Sequence, residues 1–150
     1  MAHQRIHGKG PYTHDEANAS EAGIYPGMLL ELDSAGGVIM HNTENGRMEA
    51  LFAEEDALQG KTVSDVYTNG SKVSLILPGL GCEVCALLAD GEDVLIGDYL
   101  VSNGDGCLKK QTDDSDAIDV FTVGVAMEAK NLEDDSAETN QLIMIRICGH

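Results

Sequence analysis

Two segments near the C-terminus alternate apolar and polar residues with a period of two. In residues 120–129, Phe121, Val123, Val125, Met127 and Ala129 share one face, and Thr122, Gly124, Ala126 and Glu128 share the other. In residues 141–148, Ile143, Ile145 and Ile147 alternate with Met144, Arg146 and Cys148. Successive side chains on a strand point to opposite faces, so each pattern predicts a half-buried strand. The core of these two strands, expected side by side, is Phe121, Val123, Val125, Ile143, Ile145 and Ile147.

Upstream, from about Glu21, short apolar runs are closed by turn residues. Residues 28–32 follow Pro26-Gly27, and 37–41 follow the turn at Asp33–Gly36. Residues 72–77 lie between Asn69-Gly70 and Pro78-Gly79, and 83–88 end before Asp90-Gly91. Residues 98–101 lie between Gly97 and Asn103-Gly104-Asp105-Gly106. This rhythm predicts a mainly β chain, a compact small β-barrel or sandwich. A short helix is expected around 53–58, stopped by Gly60, and a solvated acidic loop over 131–140.

Residues 1–20 lack the rhythm. They are polar and rich in glycine and histidine, which predicts a flexible, extended N-terminal arm ahead of a folded domain over 21–150.

Charge narrows the partners. The chain has 26 acidic and 9 basic residues and a net charge of −17. Such a surface repels phosphate backbones and anionic lipid, which argues against nucleic acid and membrane as partners. Residues 1–14 run the other way, with Arg5, Lys9, three histidines and no acid. Aromatics are limited to Phe52, Phe121 and four tyrosines, so the core must be aliphatic. The N-terminus has no apolar run suited to a secretory signal, so Cys82, Cys85, Cys107 and Cys148 are expected as free thiols in a host cytoplasm.

No constellation carries chemistry. Cys82 and Cys85 form a CxxC, but the remaining cysteines are split by 40 residues, unlike the paired knuckles of structural zinc. The acidic clusters Asp113-Asp114-Ser115-Asp116 and Glu133-Asp134-Asp135 lack the spacing of a calcium loop. Outside the N-terminal segment the only histidines are His41 and His150, and no nucleophile motif is present. Neither catalytic residues, a metal, a cofactor nor an enzyme activity is expected. The Gly91–Leu100 turn and Lys130 share some grammar with biotinyl and lipoyl carrier domains, without the A-M-K-M tip.

The run Glu21-Ala22-Gly23-Ile24-Tyr25-Pro26-Gly27-Met28-Leu29-Leu30-Glu31-Leu32 opens an ordered series. It continues with Ala50-Leu51-Phe52-Ala53-Glu54-Glu55, Gly60, Asp65-Val66-Tyr67, Val73, Gly97-Asp98-Tyr99-Leu100, Gly104-Asp105-Gly106 and the segment from Gly124 to Ala129. This series resembles the tailed-bacteriophage head decoration (capsid cement, or stabilisation) proteins over about residues 20–148. Cys107 departs from it, standing where Thr or Ser is expected.

The resemblance implies a structural virion protein on the outer surface of the expanded capsid, bridging major capsid protein subunits. It also implies a homo-oligomer, a homotrimer rather than a dimer. The N-terminal arm would be the capsid contact, with Arg5 and Lys9 meeting acidic groups and Ile6 and Tyr12 as apolar anchors. The alternatives are a virion-associated receptor- or tail-binding β domain and, further off, the carrier domain.

Overall fold

A computed structural model describes residues 3–112, 120–133 and 140–148. Its first strands are β1 (His7–Lys9), β2 (Tyr12–Asn18), β3 (Leu30–Leu32), β4 (Val38–Met40) and β5 (Phe52–Glu54). Next come β6 (Lys72–Pro78), β7 (Glu83–Leu88), β8 (Asp93–Val94), β9 (Tyr99–Ser102) and β10 (Leu108–Lys110). The last are β11 (Thr122–Ala126), β12 (Lys130–Asn131) and β13 (Gln141–Ile147).

The strands β7, β10, β9, β11 and β13 are hydrogen-bonded in that order, and β13 returns to pair with β7. This closes a five-stranded barrel, which leaves no open edge in the ring. β13 runs antiparallel to the whole of β7, from Gln141 opposite Leu88 to Arg146 opposite Glu83. A second sheet, β2-β6-β5, and the β3-β4 hairpin pack beside the barrel.

Two aliphatic cores result. Within the barrel, Ile143, Ile145 and Ile147 are buried with Val84, Ala86, Leu88, Leu100 and Leu108. Under the second sheet lie Ile24, Leu30, Val38, Val73 and Leu75. Each such side chain contributes about 1.5–3 kcal/mol on full burial, so a core with Phe52 as its one fully buried aromatic is adequate.

The alternation over 120–129 breaks where the sequence pattern does not show it. β11 lies antiparallel to β13 with Gly124 opposite Ile147, Val125 opposite Arg146 and Ala126 opposite Ile145. Against β9, however, Thr122 faces Val101 and Gly124 faces Leu100, so Val123 is an extra residue in a bulge. A bulge shifts the phase of the strand by one residue. Val123 and Ala126 are therefore buried, while Phe121 and Val125, both expected inside, are only half-buried. Phe121 lies under the Arg47 guanidinium, 5.4 Å from its centroid. Gly124 permits the close approach of β13, since a Cβ there would lie 2.7 Å from the Arg146 carbonyl oxygen.

Two other expectations change. Within 53–58, strand β5 pairs with β6, Phe52 opposite Ile76, and the only helical turn is a 3-10 segment, Ala57–Gln59, ended by Gly60 at φ 74°. Backbone pairing on β6 overrides the weak helical signal. The expected loop over 131–140 begins as strand, because β12 pairs with β8. Residues 134–139 and the cluster 113–116 lie outside the described residues.

The largest correction concerns the N-terminus. β2 pairs antiparallel with β6 along all seven of its residues, from Tyr12 opposite Pro78 to Asn18 opposite Lys72. β1 pairs with β7, His7 opposite Val84, and Ile6 is fully buried in the barrel core. Residues 6–20 thus belong to the folded domain, and among the described residues the boundary expected at 20/21 is not seen. Main-chain hydrogen bonds hold this polar strand, and they leave no apolar rhythm in the sequence.

Candidate functional site

The four residues expected to contact a capsid are engaged within their own chain. Ile6 is interior, and its N–H donates to a Glu55 carboxylate oxygen at 3.1 Å. Arg5 is exposed, with Nε 3.8 Å from Glu55, and Lys9 Nζ lies 3.6 Å from Glu83. The Tyr12 hydroxyl donates to the Glu83 carbonyl oxygen and accepts from the Gly8 N–H at 2.8 Å. Burial pushes the Tyr12 phenol up to about 12, and the His7 ring packs on it at 4.1 Å between centroids.

Two histidines extend the series: His3 Nε2 lies 2.6 Å from Glu128, and His14 Nδ1 lies 3.9 Å from Glu54. Burial, then the neighbouring Glu55 charge, raises the Glu54 carboxyl above its ordinary value. The acid-free N-terminal segment is therefore complementary to carboxylates of this chain; Ile6 is no free apolar anchor, while the side chains of Arg5 and Lys9 remain exposed.

Three of the four cysteines, Cys82, Cys85 and Cys107, are enclosed. Cys85 and Cys107 are buried, and burial pushes both thiols up to about 12. Among the described residues, no group of three or more His, Cys, Asp or Glu is arranged to hold a metal ion. Lys130 sits half-buried on β12 with Nζ donating to the Leu142 carbonyl oxygen at 2.8 Å, away from any exposed hairpin tip of the carrier kind.

The fold also makes a histidine–serine pair that sequence spacing did not reveal. His41 Nδ1 lies 2.6 Å from Ser102 Oγ, 61 residues on. His41 Nε2 donates to the Arg47 carbonyl oxygen at 2.8 Å and lies 3.8 Å from Glu31 Oε2, so both ring nitrogens are engaged. Both side chains have no exposed surface, so the hydroxyl faces no cleft a substrate could enter.

Among the exposed large apolar residues, which include Leu58 and Leu80, three cluster in sequence at a turn between β8 and β9. Leu95, Ile96 and Tyr99 are 61%, 69% and 56% exposed. Their turn is closed twice: the Leu95 N–H donates to Asp98 Oδ2 at 2.9 Å, and the Asp98 N–H donates to the Leu95 carbonyl oxygen at 3.1 Å. Gly97 supplies the left-handed residue at φ 92°, and its N–H donates to the Ala126 carbonyl oxygen at 2.9 Å. The Leu95 N–H, helped by Lys110 Nζ at 3.2 Å, holds the Asp98 carboxyl below its ordinary range. Beside the tip, Tyr99 faces the half-buried Val125, and Val125 faces the exposed Arg146. Large apolar side chains held this firmly in water suit an interface. The sequence signal was Leu95-Ile96 directly before Gly97-Asp98, an apolar pair at a turn rather than in a strand.

The geometry defines a small closed β-barrel with a second sheet packed beside it and a preorganised apolar turn on its surface. No protein-family model matches the chain, and no curated protein matches it. Among solved structures, it is similar to the N base of head fiber gp8.5 in bacteriophage phi29, with a TM-score of 0.55 and 16% identity over 92% of this chain and 95% of that one. At that identity the likeness is one of fold.

Proposed function

We propose that this chain is a non-enzymatic structural protein of a tailed-phage head. In this reading it binds the outer surface of the expanded shell and bridges major capsid protein subunits. The observation that carries the reading is the fold shared, nearly end to end, with the base of a phage head fiber. The ordered motif series from Glu21 to Ala129 supports it independently. The contact surface is the Leu95–Ile96–Tyr99 tip in place of the N-terminal segment. Interface cores are depleted in charge, and this tip is a compact apolar surface on a chain of net charge −17. Repetition of weak contacts over a shell, reinforced by assembly as a homotrimer, would supply avidity.

Because the structural neighbour is a fiber base, a second reading is also favoured, in which the domain seats a projecting structure on the head. Both readings are tested by incubating the purified protein with expanded heads and measuring occupancy by sedimentation and cryo-electron microscopy. Wild type should occupy a regular lattice position, and Ile96→Asp, with an unchanged melting profile, should lose most of its occupancy. A wild-type protein that leaves heads bare would overturn both readings. Full occupancy by Ile96→Asp would remove the tip from the interface.

A further inference from the structure

A cleft of about 680 Å³ opens where His3, the Tyr25–Met28 turn, β12 and the start of β13 come together. That volume lies within the roughly 300–1,000 Å³ of small-ligand sites. Met28, Val63, Leu87 and Leu142 give it an apolar wall, and Tyr25 stands at the same cleft. Lys130 supplies the cation.

The state of Lys130 is unusual for this chain. Lys9, Lys72, Lys109 and Lys110 each pair with a carboxylate, and Lys61 stands exposed to solvent. Lys130 is half-buried, yet among the described residues it forms no ion pair. Glu128, two residues away, feels the Lys130 charge without forming an ion pair with it, and its Oε1 accepts from His3 at 2.6 Å and from the Met144 N–H at 2.9 Å. The bond to the Leu142 carbonyl oxygen orients the ammonium and uses one of its three hydrogens. A partly desolvated cation with free donors favours an anion. The strongly negative chain disfavours a multiply charged one, and the aliphatic wall favours an apolar body.

We propose that this cleft binds a single carboxylate carried on an aliphatic group, with Lys130 holding the carboxylate and Met28, Leu87 and Leu142 packing the aliphatic part. The carboxylate can come from a peptide C-terminus or from an internal acidic residue beside an aliphatic one. The site is separate from the head-binding reading and does not depend on it.

The test is an amide chemical-shift titration of the full chain with three probes: N-acetyl-leucine, N-acetyl-leucine amide and N-acetyl-leucyl-aspartyl amide. At least one acid probe should move the amides of Leu87, Lys130 and Leu142 in a saturable way. The neutral amide should bind roughly tenfold more weakly, as loss of a charge-assisted hydrogen bond predicts. The acid that binds better identifies the source, C-terminal or internal. Lys130→Gln should lose the acid preference and Lys130→Arg should keep much of it. If Lys130→Gln fails to fold, Val63→Asp places a repelling charge on the wall without touching the Leu142 bond, and should abolish acid binding. Absence of binding by both acids, equal binding of the neutral amide, or an acid preference surviving Lys130→Gln or Val63→Asp would overturn the proposal.

Discussion

The Nδ1 of His41 is hydrogen-bonded to the Ser102 hydroxyl at 2.6 Å, and this contact joins the loop after β4 to the end of β9. The Ser102 oxygen also accepts the Gly104 N–H at 3.2 Å, which fixes the turn leading to β10. His41→Ala would leave the serine hydroxyl and the Arg47 carbonyl oxygen without their partner in a closed site. Each unsatisfied buried group costs about 1–3 kcal/mol, so the variant should lose several kcal/mol in urea unfolding. Ser102→Ala should cost less. Equal, near-zero losses would show that the pair does not hold the loop.

The bulge at Val123 makes a phase prediction. Ile145 and Val123 are fully buried and Val125 is not. Ile145→Ala should cost about 2–5 kcal/mol. Val123→Ala should cost more than Val125→Ala, the reverse of equal losses expected from strict alternation. Gly124→Ala should cost more than about 1 kcal/mol, because a methyl there meets β13 backbone. Matched losses at 123 and 125 would argue for a regular strand.

Deleting residues 2–18 should destabilise the domain severely. The deletion removes Ile6 from the barrel core and strips β6 of its seven-residue partner β2. A calorimetric melting profile should shift down strongly or lose cooperativity. An unchanged profile would restore the picture of a free arm.

Thiol labelling near neutral pH should separate the cysteines. Cys148 is the one of the four that is half-exposed, whereas Cys85 and Cys107 are buried with thiols raised to about 12, so almost no thiolate forms there. A disulfide-exchange reagent should modify Cys148 first and reach Cys85 and Cys107 only on unfolding. Rapid modification of Cys85 in the native protein would show that the barrel opens readily.

The sequence by itself determined the β class, most strand positions and the inner face of β13, because Ile143, Ile145 and Ile147 alternate without interruption and need only one buried side. It also determined the aliphatic character of the core, which follows from composition. Only the tertiary structure decided the phase of β11, since a bulge is set by register against β9 and leaves no mark in residue type. The same holds for the N-terminus: β2 is held by backbone pairing, and the basic side chains of residues 3–14 meet Glu54, Glu55, Glu83 and Glu128, partners that lie between 40 and 125 residues away. Residue type alone does not say where Leu95 and Ile96 point. The turn closed by Asp98 puts them in solvent, because local hydrogen bonds, not apolar burial, determine where that segment points.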